Sequence, residues 1–168
     1  GVLKVLEEVG IVPDYVTGTS MGAVVGGLYA AGYSAAELEE IALSADWDVL
    51  LGNQIPYESI AIEQKPFYAR SQLILPVEDF KIGLPKGVIE GQELYEMLVE
   101  LTAPVHSVTD FDSLPRPYRC IGADIVTGEK VVLANGFLPE AIRASMAIPS
   151  IFTPVEIDGR LLVDGGLV

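Results

Sequence analysis

Residues 15–22 read Tyr-Val-Thr-Gly-Thr-Ser-Met-Gly, a short β-prone run that leads through a Gly-x-Ser-x-Gly pattern into an apolar, helix-compatible segment. This order predicts a strand, a sharp turn and a helix, with Ser20 on the turn. A serine placed there stands at a helix N-terminus, where unpaired N–H groups and the helix dipole favour developing negative charge. The backbone N–H of Met21 is the natural first donor of an oxyanion hole. Ser20 is therefore a candidate acyl-transfer nucleophile.

Two glycines, Gly18 and Gly22, flank the serine in this pattern. A sharp, strained turn leaves no room for side chains on either flank, which predicts glycine at both positions. Gly22, Gly26 and Ala30 also recur at helical spacing and predict a helix that packs very close to the sheet. The alternative interpretation is that Ser20 only caps the helix and that the glycines only serve packing.

Composition indicates a globular domain with an acidic surface. The chain has 168 residues, of which 50% are hydrophobic and 20% are charged, enough for one domain with a real core. Its 24 Asp and Glu against 10 Lys and Arg give a formal net charge of -14. Such a surface repels nucleic-acid phosphates, so nucleic-acid binding is excluded. It also gains nothing from anionic membranes, so any membrane contact must be hydrophobic.

The single cysteine, Cys120, lies in an apolar strand-like run and is expected to be a buried structural thiol. No spacing of Cys and His suggests a metal site, and neither a metal nor another cofactor is expected. No stretch of the sequence approaches the roughly 20 uninterrupted apolar residues of a membrane-spanning helix.

Strands and helices intermix along the chain without repeats or a low-complexity linker, which predicts a single α/β domain. Gly10 and Gly32 are typical helix ends, and Ser34 with Glu37 forms a capping box that opens a helix. The predicted helices are 2–9, 20–31, 34–45, 92–101 and 139–146. Residues 15–17 form one predicted strand, and the others pair as hairpins across Glu78-Asp79, Thr127-Gly128 and Asp158-Gly159.

A serine hydroxyl needs a base to take its proton, and the chain offers two candidates, His106 and Asp164. His106 is the single histidine and follows a predicted helix, a position more typical of a surface or cap residue. Asp164 ends a β-prone run, and Gly165 and Gly166 behind it let backbone or substrate approach closely. A simple Asp-Gly turn explains Asp164 equally well when it is taken by itself.

Three segments together resemble the patatin-like phospholipases, in particular the bacterial members of that family. They are Gly-Thr-Ser-Met-Gly-Ala at 18–23, Ala-Ser-Met-Ala-Ile-Pro at 144–149, and Leu-Val-Asp-Gly-Gly at 162–166. The resemblance implies a three-layer α/β/α fold with a central, mostly parallel sheet. It also implies a catalytic dyad, in which Ser20 attacks an ester carbonyl, Asp164 serves as base, and an acyl-enzyme forms.

The implied substrates are phospholipids, lysophospholipids or related acyl esters, met at a transient membrane or micelle surface, with no cofactor. The family's oxyanion loop, a glycine-rich run with an arginine, would precede the helix that opens this chain and is absent from residues 1–168. Gly1 falls within a helical pattern and Val168 directly follows a strand and a turn. Residues 1–168 are therefore expected to form one patatin-like catalytic domain that is truncated at both ends.

Two other functions remain open at this point. One is a triad esterase or thioesterase, which needs a histidine such as His106. The other is a catalytically silent patatin-like module that binds lipid or regulates a partner. The irregular, apolar segment 50–84 is the candidate for contact with lipid, although ordinary core and a hairpin explain its composition equally well.

Overall fold

The computed structural model describes residues 1–52, 77–78, 81–82, 91–149 and 151–168. Within these residues, helices pack around a five-stranded mixed sheet, which confirms the α/β class. The helices are α1 (Val2–Glu8), α2 (Met21–Ala31), α3 (Ala35–Ser44), α4 (Trp47–Gly52), α5 (Gln92–Thr102) and α6 (Leu138–Ser145). The strands are β1 (Val16–Gly18), β2 (Val77–Glu78), β3 (Lys81–Ile82), β4 (Tyr118–Asp124), β5 (Lys130–Leu133), β6 (Val155–Ile157) and β7 (Arg160–Asp164).

Strand β4 is the central strand of the sheet, because it pairs with β1, β5 and β7. Cys120 pairs with both β1 and β5, and Gly122 pairs with both β5 and β7. Since a strand has only two edges, β5 occupies one edge of β4, while β1 and β7 share the other, one after the other. This arrangement brings the carboxyl ends of β1 and β7 towards each other.

The expected mostly parallel sheet differs from the sheet that the structure describes. In that part of the chain, β1 and β4 pair in parallel, whereas β4–β5, β4–β7 and β6–β7 pair antiparallel. The reason lies in the connections, because short turns such as Thr127-Gly128 and Asp158-Gly159 join only antiparallel strands. The expectation of a mostly parallel sheet is therefore wrong for the described strands.

Local sequence signals place most helix ends correctly. Gly32 adopts the left-handed conformation (φ 119°) at the end of α2. At the start of α3, the Ser34 side chain accepts a hydrogen bond from the Glu37 N–H, and the Glu37 carboxylate accepts one from the Ser34 N–H. These two bonds are the predicted capping box. Helix α4 was not among the predicted helices, because its apolar residues show no helical period.

The core lies where α2 and α6 meet the sheet, with α5 packed against both helices. Small residues let α2 approach closely: a Cβ atom added at Gly26 would lie 3.1 Å from Val16, and one added at Gly27 would lie 2.5 Å from Ile142. Tyr118 of β4 is fully buried and its hydroxyl donates to the Ala23 carbonyl at 2.8 Å, which ties β4 to α2. The predicted close packing of α2 on the sheet is confirmed at Gly26, whereas a Cβ atom added at Gly22 would meet nothing within 4 Å.

Helix α1 differs from the other helices because none of its residues is buried. Val2, Val5 and Val9, which carry much of its predicted apolar face, are 77%, 57% and 63% exposed. Its described contacts are mainly with α3, where the Glu7 carboxylate accepts a hydrogen bond from the Ala35 N–H at 3.0 Å.

The predicted lipid-contact segment 50–84 falls largely outside the described residues. Two short strands within it are described: β2 and β3 pair antiparallel, with Val77 opposite Ile82 and Glu78 opposite Lys81. The pairing confirms a hairpin in this segment, but Glu78 lies in β2 and not in the turn where it was predicted.

Candidate functional site

Ser20 lies between β1 and α2 in a backbone conformation that non-glycine residues rarely adopt, with φ 56° and ψ -129°. Such conformations cost about 1–3 kcal/mol and persist only where the surroundings hold them. The Ser20 side chain makes no capping hydrogen bond to α2. The alternative that Ser20 serves only as a helix cap therefore lacks the bond on which it depends. The side chain is half-buried at the N-terminus of α2.

The two glycines that flank Ser20 have different surroundings. A Cβ atom added at Gly18 would lie 2.1 Å from the Gly22 carbonyl oxygen, so no side chain fits there. A Cβ atom added at Gly22 would meet nothing within 4 Å. The prediction of steric crowding is confirmed at Gly18 and wrong at Gly22, because the turn brings the Gly22 backbone towards Gly18 while the other side of Gly22 faces open space.

The backbone N–H of Met21 is unpaired among the described residues. The next two N–H groups of α2 are taken, since Gly22 donates to the Thr19 carbonyl at 2.9 Å and Ala23 to the Ser20 carbonyl at 2.8 Å. An unpaired N–H at the start of a helix is free to bond a negatively charged oxygen. This donor is one residue from Ser20.

Asp164 is the last residue of β7 and is 6% exposed. Its Oδ1 atom accepts a hydrogen bond from the Gly166 N–H at 2.7 Å, which is the one described hydrogen bond of the carboxylate. A Cβ atom added at Gly165 would lie 2.2 Å from the Ile121 carbonyl oxygen, so only glycine lets this turn approach β4. The glycine at 166 is less constrained, with 3.1 Å between such an atom and the Asp164 Oδ1.

The sheet brings Ser20 and Asp164 to the same place. Gly18 lies opposite Cys120 and Asp164 lies opposite Gly122, on the shared edge of β4. Cys120 and Gly122 are two residues apart on β4, a distance of about 7 Å along a strand. The carboxyl ends of β1 and β7 therefore face each other across a gap of about this size. Ser20 follows Gly18 by two residues and lies just beyond the carboxyl end of β1.

The segment 145–147, at the end of α6, contacts both residues through its backbone. The Ser20 N–H donates to the Ser145 carbonyl oxygen at 3.2 Å, and the Asp164 N–H donates to the Ala147 carbonyl oxygen at 2.9 Å. This segment belongs to the run 144–149, whose resemblance to the patatin-like family is its only signal in the sequence.

His106 does not join this group. Its Nε2 atom lies 3.0 Å from the Val99 carbonyl oxygen, and its ring packs edge-on against Phe137 with centroids 4.9 Å apart. Phe137 precedes the first residue of α6, whereas Ser145, which contacts Ser20, is the last. Eight helical residues span about 12 Å, so His106 lies at the opposite end of α6 from Ser20.

Two side chains of β4, Cys120 and Tyr118, are buried and uncharged. Burial raises the pKa of the Cys120 thiol to about 12, and the thiol makes a contact of 3.5 Å to the Ala141 carbonyl oxygen. Cys120 is therefore a buried structural thiol, as predicted. Burial also raises the pKa of Tyr118 well above its ordinary value. Neither group supplies a charge that could serve as a base at neutral pH.

A cavity of about 420 Å³ lies between α5, α6 and β6, apart from Ser20 and Asp164, with Tyr95, Arg143 and Glu156 in its wall. The described residues hold no cluster of three or more His, Cys, Asp or Glu side chains that could bind a metal ion. None of the described helices combines the length and the apolar character needed to cross a bilayer.

The family model described as Patatin-like phospholipase matches residues 1–168. An uncharacterized NTE family protein of Mycobacterium tuberculosis is 33% identical over 168 residues, which cover 100% of this chain and 38% of that protein. A second such protein of that organism is 28% identical over 168 residues, covering 100% of this chain and 24% of that protein. Lysophospholipase NTE1 of Kluyveromyces lactis is 28% identical over 186 residues, covering 100% of this chain and 10% of that protein. The chain thus spans well under half the length of these relatives.

Proposed function

The chain belongs to the patatin-like phospholipase family, as the resemblance of its three motif segments implied, and on this premise we propose that it is the catalytic core of a serine acyl hydrolase that cleaves carboxyl esters of lipids. Phospholipids and lysophospholipids are the proposed substrates, and the similarity to lysophospholipase NTE1 of Kluyveromyces lactis supports the second. The three-layer arrangement of the family's fold and a transient contact with a membrane or micelle surface are parts of the same proposal.

The observation that carries the proposal is the meeting of β1 and β7 on one edge of β4. It supports a pairing of Ser20, which lies on a strained turn without a capping bond, with Asp164, whose Oδ2 atom has no described partner. A nucleophile and a base must lie within hydrogen-bond reach in the reacting complex. Ser20 and Asp164, which lie at these two strand ends, are the proposed nucleophile and base.

In the proposed reaction, the Ser20 oxygen attacks the ester carbonyl carbon while Asp164 takes the hydroxyl proton. The negative charge on the carbonyl oxygen is stabilised by the Met21 N–H, which has no other described acceptor. The bond to the alcohol then breaks, and Asp164 returns the proton to the leaving alcohol. Water then attacks the acyl carbonyl while Asp164 takes one of its protons; the bond to the Ser20 oxygen breaks, Asp164 passes that proton to the Ser20 oxygen, and the carboxylic acid is released.

A triad built on His106 is not favoured, because this histidine lies at the far end of α6 from Ser20. Replacement of His106 by alanine separates the two mechanisms. The dyad predicts nearly unchanged ester turnover in that variant, whereas a triad built on His106 predicts a loss of about 10²-fold or more.

The nucleophile is tested by labelling the full-length protein with a fluorophosphonate probe. Ser20→Ala should abolish labelling, and Ser44→Ala, which removes an exposed hydroxyl at the end of α3, should label like the parent protein. Persistent labelling of Ser20→Ala would show that another residue is the nucleophile. Lipid binding by a parent protein that neither labels nor hydrolyses would instead support the catalytically silent module.

The base is tested by turnover of an aryl ester. Asp164→Asn keeps an oxygen that can accept the Gly166 N–H, so the fold should survive while turnover falls by about 10²–10⁴-fold. Asp158→Asn in the exposed turn between β6 and β7 is the matched control and should leave turnover unchanged. Undiminished turnover in Asp164→Asn would place the base elsewhere.

A further inference from the structure

Ser145, the last residue of α6, is fully buried, and its hydroxyl both donates and accepts a hydrogen bond. Its hydroxyl donates to the Ile121 carbonyl oxygen of β4 at 2.6 Å. The same oxygen accepts a bond from the Ser20 N–H at 3.3 Å, beside the bond of 3.2 Å to the Ser145 carbonyl oxygen. Ser145 therefore links the turn that carries Ser20 directly to β4.

The Ile121 carbonyl is placed to connect both sides of the site. The backbone groups of successive strand residues point to opposite edges of the strand. Asp124 bonds towards β5 and Ile125 towards β7, so the Ile121 carbonyl points to the edge of β4 that β1 and β7 share. The Gly165 backbone approaches this carbonyl so closely that an added Cβ atom would lie 2.2 Å from its oxygen. One carbonyl thus contacts the Ser145 hydroxyl and the turn that follows Asp164.

The backbone after Ser145 contacts the other side of the site. Two residues further on, the Ala147 carbonyl oxygen accepts the Asp164 N–H at 2.9 Å. The stretch 145–147 therefore holds Ser20 at one end and Asp164 at the other. This is a rigid connection between two residues that lie 144 positions apart in the sequence.

We infer that Ser145 is a positioning residue for the proposed reaction, and that its hydroxyl fixes the Ser20 backbone relative to Asp164. The physical need for it is the strained conformation of Ser20, which relaxes unless neighbouring groups hold it. The inference rests on the proposed function for its catalytic consequence, whereas the hydrogen bonds at the Ser20 N–H can be tested without any activity.

The test compares Ser145→Ala with Thr102→Val in the full-length protein. Thr102 is equally buried, and its hydroxyl also donates to a backbone carbonyl, that of Leu98 at 2.7 Å, at the end of α5. Both variants lose one buried hydroxyl, but Thr102 has no described bond to the turn around Ser20. A loss that reflects only stability should therefore appear in both variants.

For an aryl ester, kcat of Ser145→Ala should fall by about 10- to 100-fold with KM changed little, because misplacement of a reacting group lowers the rate more than binding. The Thr102→Val variant should keep the parent kcat. Ser145→Cys keeps a weaker donor of similar shape and should recover part of the lost kcat. Equal kcat values for Ser145→Ala and Thr102→Val, per folded molecule, would overturn the inference.

Hydrogen exchange at the Ser20 amide is the readout that needs no activity. Exchange should be about two- to tenfold faster in Ser145→Ala than in the parent, since one acceptor of the Ser20 N–H is lost, and unchanged in Thr102→Val. If the parent protein hydrolyses no ester, the proposed function fails, and exchange alone decides whether Ser145 holds Ser20. Exchange at Ser20 that is the same in the parent and in Ser145→Ala would overturn that role too.

Discussion

Replacing Gly18 by alanine should disrupt the turn that presents Ser20. The added methyl carbon would lie 2.1 Å from the Gly22 carbonyl oxygen, 2.4 Å from the Gly22 carbonyl carbon and 2.7 Å from the Ala23 nitrogen. All three are backbone atoms of the first turn of α2, so no side-chain rotation can relieve the overlap. Because ordinary van der Waals contact begins at 3.4 Å, β1 and α2 must move apart by about 1 Å.

The size of the effect follows from this movement. Overpacking of a well-packed site typically costs about 1–3 kcal/mol, and an obstacle made of backbone favours the upper end, so the free energy of unfolding should fall by about 3 kcal/mol. A shift of about 1 Å at the nucleophile should also lower acyl-transfer activity by about 10²-fold. By contrast, Gly22→Ala meets no atom within 4 Å and should raise the free energy of unfolding by about 0.5 kcal/mol, because alanine restricts the unfolded chain.

The assay is urea unfolding of the two variants beside the parent protein, followed by circular dichroism, together with fluorophosphonate labelling of the folded fraction. Both variants add one methyl group to a glycine of the same motif, so they differ in the space around that group and in little else. If Gly18→Ala is as stable as Gly22→Ala, the described packing between β1 and α2 is incorrect.

Three further predictions concern other parts of the chain. Ser34→Ala should lower the free energy of unfolding by about 1 kcal/mol through loss of the helix cap, as measured by urea unfolding. It should also raise the pKa of Glu37, which hydrogen bonds from Ser34 hold below its ordinary value. An NMR titration that finds the Glu37 pKa unmoved would contradict the capping box. Arg119→Met should raise the pKa of Asp112, which its hydrogen bond with Arg119 lowers from 3.8. Because the pKa of Asp112 is lowered in the folded state, the pair stabilises the fold above about pH 4 and this contribution is lost as the pH falls, so the variant should lose less stability in acid than the parent. Cys120 should resist alkylation by iodoacetamide at pH 8 until the protein is unfolded, since burial raises the pKa of its thiol to about 12; equal rates in native and urea-unfolded protein would refute its burial.

Features that depend on neighbouring residues were predictable from the sequence. The strand, turn and helix around Ser20 follow from the alternation of β-prone residues, glycine and an apolar run. The capping box at Ser34 and the hairpins at Thr127-Gly128 and Asp158-Gly159 follow from turn and cap chemistry within a few residues. Local preferences decide these features because the groups that form them are close together along the chain.

Features that depend on distant contacts were not predictable in the same way. The sequence offered Ser20 and Asp164 as separate candidates, and only the pairing of β1 and β7 with one edge of β4 places them at one gap. The open space beside Gly22 and the mostly antiparallel pairing of the described sheet also differ from the expectations. A local pattern carries no information about which strand edge a segment will join.

The sequence by itself therefore determined the chemistry that is available: a serine on a strained turn, a carboxylate before two glycines, and an acidic chain with one histidine. Tertiary structure decided which of these groups meet, and it assigned the linking position to Ser145, whose hydroxyl has no distinguishing pattern in the sequence. The physical reason is that the conformation of Ser20 is costly and needs a partner to hold it, and that partner is Ser145 of α6, 125 residues away along the chain.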